Sequence, residues 1–531
     1  MKISVSLPLG LVLGASAIPI ANDTGYFEQR CNAATESLSF LIQENATAKA
    51  PEFVVAGTNI TFPGADATCG RSSQVASVDM CRIVLYMPTS ERSGFNMEAW
   101  LPSNWTGRFL STGNGGLGGC IQYEDLDYAA SFGFAAVGTD NGHTGMGGTS
   151  FLNNLDVVED FAYRAVHTGV VFGKQISEAF YKKSHSKSYY LGCSTGGRQG
   201  FKSVQDFPED FDGVVAGAPA ISFNNLTSWS SGFINITGSP ESEMFVPLDM
   251  WPVIAQDILK QCDGIDKVMD NIIEDPALCD YKPDGLICSA AQNTSCLTPT
   301  QAETVRKTFS PLIDPDGSLV YPGMQPGSEE TGAVQTLYTG QVIGSSDWFK
   351  YAILNDPNWD PATINPNDWH KSQDANLFNI QTWEGDLSAF QNRGSKLLHY
   401  HGLQDGVITS ENSPRYYQHV SDTMGKTPDQ LDEFYRFFRI SGMGHCGGGT
   451  GASAIGNGIN TFASEDPEEN VLLAMVRWVE EGVPPEIIRG TAFVNGDKNS
   501  GVAYKRNHCR FPRRTTYQSG DPNDPTSWIC V

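Results

Sequence analysis

The sequence predicts an α/β fold, a mostly parallel sheet covered by helices, with a large inserted lid. Three observations predict it. Short apolar runs alternate with helical periodicity between residues 81 and 219. A stretch from 225 to 392, rich in Pro, Asn, Asp and Trp, breaks that alternation. The β/α pattern then returns from 393 onward. Alternation of this kind marks a parallel sheet with helices on its faces. A chain of 531 residues has room for two large units, or for one domain carrying an insertion.

Taken in order, residues 81–88, 95–102 and 108–111 read as strands, and 134–138 as a short buried strand. Residues 156–183 read as one long helix, with apolar Val157, Phe161, Ala165, Val170 and Val171 at helical spacing. Residues 187–193 form a strand running into a glycine-rich turn, 195–205 a helix and 213–217 the next strand. Beyond the insertion, 396–401 and 434–440 read as strands and 467–481 as an amphipathic helix. The expected division is a core over 18–224 and 393–531, with the lid over 225–392. No internal repeat or coiled-coil segment is evident.

Residues 1–17 read as a signal peptide. Lys2 supplies the positive start, residues 5–14 a short apolar run too short to cross a bilayer, and Ala15-Ser16-Ala17 the small-residue cleavage pattern. Twelve cysteines and seven N-x-S/T sequons, at Asn22, Asn45, Asn59, Asn104, Asn225, Asn235 and Asn293, agree with a secretory route. The protein is therefore expected to be extracellular, glycosylated and disulfide-bonded. Its formal net charge of −25 argues against nucleic acid and membrane surfaces as partners, because its field repels polyanions.

The chemistry concentrates in three places. Gly192-Cys193-Ser194-Thr195-Gly196 is a G-x-S-x-G motif between a strand and a helix. That context lifts a serine onto a sharp elbow, so Ser194 is the candidate nucleophile. Asp405 lies in the turn after the strand at 396–401, and His445 in a glycine-rich loop after the strand at 434–440. The order Ser…Asp…His is that of the α/β-hydrolases, with Asp405 orienting the His445 imidazole that takes the Ser194 proton. His399 and His401 read as sheet-end residues near the acid rather than as bases. An oxyanion hole would use the backbone N–H of Thr195 and a second donor from the glycine-rich loop 112–119, where Gly115 and Gly116 are the candidates. If Ser194 and His445 meet, their neighbours Cys193 and Cys446 come within bridging range, so a disulfide between them is expected.

Asp263, Asp266, Asp270, Glu274 and Asp275 crowd residues 262–275. Hard oxygen ligands of this kind suit Ca²⁺. The spacing is not that of an EF-hand and Lys267 intervenes, so spacing alone reads as a solvated acidic loop.

At these residues the chain resembles the tannase and feruloyl esterase family, whose signature is a cysteine directly before the catalytic serine and another directly after the catalytic histidine. Here those are Cys193-Ser194 and His445-Cys446. The runs 192–200, 440–446 and 112–116, and the ending Trp528-Ile529-Cys530-Val531, resemble fungal type-B feruloyl esterases in particular. The resemblance covers nearly the whole mature chain. It implies an α/β-hydrolase core with a lid. It also implies a secreted serine carboxylesterase that cleaves hydroxycinnamoyl (feruloyl) esters of plant cell-wall polysaccharides through an acyl-enzyme. A tannase acting on galloyl esters is the alternative. A non-catalytic, esterase-like binding protein is the alternative from another class, and the complete Ser194, Asp405, His445 set argues against it. Aromatic esters, small or polysaccharide-linked, are the expected partners. The resemblance further implies a structural Ca²⁺ held by the side chains of Asp263, Asp266 and Asp270 and the carbonyls of Val268 and Ile272, stapling a lid with little core of its own; no organic cofactor is expected. The implied disulfides are Cys31–Cys81, Cys69–Cys120, Cys193–Cys446, Cys262–Cys279, Cys288–Cys296 and Cys509–Cys530.

Overall fold

Neighbouring residues on the central strands bury on opposite faces of one sheet. Tyr190, Val214 and Leu397 enter one apolar core, while Tyr189, Val215 and Leu398 enter the other. Strands apolar on both faces need helices on both sides. The computed structural model describes residues 23–39, 46–289 and 294–531. Its central sheet is built from β1 (Met80–Pro88), β2 (Gly94–Pro102), β3 (Arg108–Thr112), β4 (Phe134–Thr139), β5 (Lys187–Cys193), β6 (Gly213–Gly217), β7 (Lys396–Gly402) and β8 (Tyr435–Ile440). Their spatial order is β1-β2-β4-β3-β5-β6-β7-β8. β2 runs antiparallel to β1 and β4, and every pair from β4 to β8 is parallel. Two short strands, Thr47–Ala48 and Glu52–Val54, extend the edge by pairing antiparallel with β1.

Helices α1 (Tyr123–Ser131), α2 (Ala165–Tyr181), α3 (Thr195–Asp206), α4 (Asn412–Met424) and α5 (Val471–Glu481) cover this sheet. Residues of α2, α3 and α4 share the core with Tyr190, and residues of α1 and α5 share the other. The architecture predicted from the sequence is therefore present.

Several boundaries differ from the expectation. The long helix at 156–183 is broken into Leu155–Glu159, a π-helical stretch Asp160–Arg164, and α2. A π turn leaves carbonyls without their usual partners. The fully buried Arg198 guanidinium donates to the Phe161 and Ala162 carbonyls at 3.2 and 2.9 Å. The helix expected from 467 begins at Val471, because the Asn470 side chain accepts the Leu473 N–H at 3.1 Å and caps it there. The antiparallel hairpin Ile487–Phe493 with Val502–Cys509 was not legible in the sequence.

Among its described residues, the inserted segment carries short helices and one small strand pair, Leu312–Ile313 with Leu319–Tyr321. The expectation that it has little core is wrong. Trp229, Phe233, Trp251, Tyr321, Tyr338 and Trp348 are buried together with many aliphatic residues. Aromatic side chains carry large apolar area each, so few of them make a substantial core. All six disulfides are formed as the family resemblance implied. The expected signal peptide and the sequons at Asn22, Asn45 and Asn293 lie outside the described residues. Asn59, Asn104 and Asn235 are exposed, and Asn225 is half-buried. Among the described residues, no helix is long and apolar enough to cross a membrane.

Candidate active site

The site lies where β5, β7 and β8 end. Ser194 follows β5 directly and opens α3, with φ 65° and ψ −123°. A left-handed φ is strained for a residue with a Cβ, and such strain persists only where surrounding structure imposes it. The Ser194 N–H donates to the Gly217 carbonyl at 3.0 Å, and its carbonyl accepts from Ala220 N at 3.0 Å. Gly197 is needed for closeness: a Cβ there would sit 2.3 Å from the Gly217 oxygen. Ser194 Oγ has no hydrogen-bond partner among the described residues and opens onto a cavity.

Asp405 is fully buried in the turn after β7. Its Oδ1 accepts the N–H groups of Val407 and Ile408 at 2.8 and 2.9 Å. Its Oδ2 lies 2.7 Å from His445 Nδ1 and 3.2 Å from His401 Nε2. Burial alone would raise this carboxyl, but His445 and His401 outweigh it and hold the group well below the usual carboxylate range. An ionised Asp405 requires a proton on His445 Nδ1, which leaves Nε2 of the neutral ring free to accept. His445 and Ser194 line the same cavity, and the Cys193–Cys446 disulfide beside them holds Cα atoms 5.9 Å apart.

Thr195 begins α3, so its N–H has no intrahelical acceptor. No protein acceptor engages it among the described residues. Its hydroxyl donates to the Gly116 carbonyl at 2.6 Å, which ties the glycine loop to the elbow. Gly115 and Gly116 line the cavity beside Ser194, and Gly116 takes φ 59°. Sequence reasoning missed Asn114 and Gln199. Gln199 accepts from Asn114 N and donates to Asn114 Oδ1, both at 3.0 Å, while Asn114 Nδ2 donates to the Thr139 carbonyl at 2.7 Å. Gln325 was missed too. From the lid it donates to the Asp405 carbonyl at 2.7 Å and accepts from Ser410 N at 3.1 Å. Polar residues far apart in sequence carry no local signal of such pairing.

Two cavities meet at Ser194. One, of about 510 Å³, has mixed walls, with Arg71, Gln122, Asp125, Asn457, Asn460 and Thr461 beside apolar Met146, Leu191, Val407 and Ile459. The other, of about 350 Å³, is mainly apolar, with Leu117, Met146, Phe223, Leu226 and Ile343. The arrangement suits attack on a substrate with an apolar part on one side of the reacting carbon and a polar part on the other.

The acidic segment lies apart from this cavity. Asp263 Oδ1 and Asp266 Oδ2 are buried with no hydrogen-bond partner. Burial raises the Asp263 carboxyl and pushes that of Asp266 up to about 6. Among the described residues, no backbone N–H donates to the Val268 or Ile272 carbonyl. Orphaned hard oxygens of this kind fit a Ca²⁺ donor set. Asp270 is shared: its Oδ2 accepts from Arg506 Nη2 at 2.8 Å. No three His, Cys, Asp or Glu side chains converge on one point among the described residues.

The fold and the elbow together define an α/β-hydrolase. The sequence pattern of the family described as tannase and feruloyl esterase matches residues 81–531, and the chain belongs to that family. "Probable feruloyl esterase B-2" of Aspergillus terreus is 50% identical over 528 residues, covering 99% of this chain and 98% of that protein. The crystal structure of feruloyl esterase B from Aspergillus oryzae superposes with a TM-score of 0.91 at 50% identity, covering 95% of this chain and all of that one (100%). Tannin acyl hydrolase from Aspergillus niger shares the fold, with a TM-score of 0.70 at 23% identity over 95% of this chain and 94% of that one.

Proposed function

We propose that this chain is a secreted serine carboxylesterase that hydrolyses hydroxycinnamoyl, and in particular feruloyl, esters of plant cell-wall polysaccharides through an acyl-enzyme. The observation that carries the reading is the position of Ser194 between a mainly apolar cavity and a larger one of mixed polarity that holds Arg71, Gln122, Asp125 and Asn457. The names of the relatives support it.

Ser194 Oγ attacks the ester carbonyl carbon while His445 Nε2 takes its proton, and Asp405 stabilises the imidazolium through Nδ1–H. The negative oxygen of the tetrahedral intermediate sits against the N–H of Thr195 and one of Gly115 or Gly116. The C–O bond to the alcohol then breaks, and the departing alkoxide takes the proton from His445. Water, deprotonated by the same imidazole, attacks the acyl-serine carbonyl and releases the carboxylic acid and Ser194. The aromatic acyl group occupies the apolar cavity, and the sugar the larger one, against Arg71, Gln122, Asp125 and Asn457.

The apolar lining favours a methoxylated cinnamoyl ring over the three hydroxyls of a galloyl group. Burying those hydroxyls against a wall whose polar groups are few, the hydroxyls of Thr227, Ser230, Thr336 and Ser345 among them, costs free energy. Side-by-side kinetics on methyl ferulate and methyl gallate test this: higher kcat/KM on ferulate is expected, and a preference for gallate would make the protein a tannase.

Six disulfides support an oxidising, extracellular destination. The exposed sequons at Asn59, Asn104 and Asn235 are sites for glycans. Ca²⁺ would be held by Asp263 and Asp266 with the Val268 and Ile272 carbonyls, with Asp270 joining them by turning from Arg506, and would relieve the repulsion among these carboxylates. Its role is structural, and no step of the hydrolysis passes through it.

A further inference from the structure

Behind Asp405, four buried side chains form an unbroken hydrogen-bond line that the hydrolysis above does not use. His401 Nε2 lies 3.2 Å from Asp405 Oδ2 and 3.2 Å from the Ile408 carbonyl oxygen. His401 Nδ1 lies 2.7 Å from Ser413 Oγ. Ser413 Oγ lies 2.9 Å from His399 Nε2, and His399 Nδ1 lies 3.0 Å from Tyr435 Oη. His401 and His399 sit two residues apart on one face of β7, Ser413 begins α4, and Tyr435 begins β8. None of the four is more than 1% exposed.

The donors can be assigned by elimination. A carboxylate and a backbone carbonyl only accept, so His401 Nε2 carries a proton. A charged His401 would be a second buried cation competing with the His445 imidazolium for one carboxylate, which is costly. In the neutral ring Nδ1 accepts, so the one Ser413 hydroxyl proton points at it. Ser413 Oγ must then accept from His399 Nε2–H. Burial holds His399 well below the ordinary imidazole range, so its Nδ1 accepts from the Tyr435 hydroxyl. Every donor in the line therefore points toward Asp405, and aligned hydrogen bonds polarise one another.

We infer that His401, backed by Ser413, His399 and Tyr435, is a positioning residue for Asp405: it occupies one lone pair of Oδ2 and leaves the other aimed at His445 Nδ1. The inference rests on the roles given above to Asp405 and His445. Further ionisable groups face this region, Glu411 near His401, Tyr321 near Asp405, and Tyr416 and Tyr417 beside Tyr435, and among the described residues none of them hydrogen-bonds to the line.

Removing the His401 donor leaves a less stabilised carboxylate, which binds the His445 imidazolium more tightly. The acidic limb of the kcat/KM profile, which reports free His445, then moves to higher pH. The stabilisation of a hydrogen bond to a charged group corresponds to a displacement of about one pH unit. The carboxylate also gains freedom to rotate, so kcat falls.

The test is the pH profile of kcat/KM on methyl ferulate for the wild type, His401→Leu and His401→Gln. We expect the Leu variant to lose about tenfold or more in kcat and to show the displaced limb. The Gln variant, whose side-chain N–H reaches the same place, restores the limb. A Leu profile that superimposes on the wild type overturns the inference, as does a Gln variant displaced as far as Leu. If His401→Leu does not fold by circular dichroism, ¹⁵N-histidine NMR of the wild type decides. Nε2–H tautomers at both His399 and His401 are expected, and an Nδ1–H or doubly protonated ring overturns the line. Ester hydrolysis undiminished in Ser194→Ala would instead sink the proposed function, without bearing on these tautomers.

Discussion

Cys193 and Cys446 are disulfide-bonded across 253 residues of sequence, and each is the chain neighbour of one residue of the proposed triad, Ser194 and His445. The bond joins the end of β5 to the loop after β8. It thereby fastens the elbow to a loop containing Gly442, Gly444, Gly447, Gly448 and Gly449.

The first prediction follows from that bond. In the double variant Cys193→Ala/Cys446→Ala, kcat/KM collapses while far-ultraviolet circular dichroism stays near native. The chain-entropy model gives a loop of this size roughly 5 kcal/mol, an upper figure because five other bridges already restrain the unfolded chain. The larger effect is on positioning, since errors of about an ångström at His445 cost orders of magnitude in rate. Full activity in the double variant would refute this account.

Ser194→Ala should lower kcat by several orders of magnitude and leave the melting temperature within a few degrees of the wild type. The hydroxyl has no protein partner to lose, and an alanine keeps the strained φ no worse than serine does. A variant retaining a tenth of the wild-type rate would remove Ser194 from the mechanism.

Chelation should lower the melting temperature. Without a cation, Asp263 Oδ1 and Asp266 Oδ2 face burial with no partner, and a ligand that binds only the native state stabilises it by mass action. The comparison is melting curves with EDTA and with added Ca²⁺, alongside elemental analysis of the purified protein. Unchanged curves and no bound metal would exclude a structural ion.

The contribution of Asp140 and Glu329 to stability should fall as pH rises from about 5 to 8, against an opposite contribution below about 6.5 from His143, His185, His399 and His508, which burial holds low. Burial pushes the Asp140 carboxyl up to about 7 and that of Glu329 up to about 8. Unfolded, they titrate near about 3.9 and 4.3. Across the window between, the native state binds protons that the unfolded state has lost, so their contribution to the slope of unfolding free energy with pH is negative. Melting temperatures of the wild type and of Asp140→Asn/Glu329→Gln, measured across this range, check the sign: the slope with pH should be less negative in the variant, and an unchanged slope would show that other groups set it.

Much of the core was legible because its signals are local. A buried parallel strand such as Ser188-Tyr189-Tyr190-Leu191 is apolar on both faces, and the G-x-S-x-G turn follows it within two residues. The extra π-helical residue at 160–164 was not legible, because apolar spacing tolerates one residue of slip in a long helix. Nor was the lid core, whose Trp229, Trp251, Tyr321 and Trp348 lie about 120 residues apart at the extremes and follow no single period.

The sequence by itself determined the fold class, the elbow serine, and the chain order of Ser194, Asp405 and His445, since each depends on neighbours a few positions away. Only the tertiary structure decided what surrounds them. It set the Gln325 hydrogen bond to the Asp405 loop, the meeting of a mainly apolar and a mixed cavity at Ser194, and the line from Tyr435 to Asp405. The reason is physical: hydrogen-bond partners and cavity walls come from strands, helices and loops far apart in the chain, and only packing brings them together.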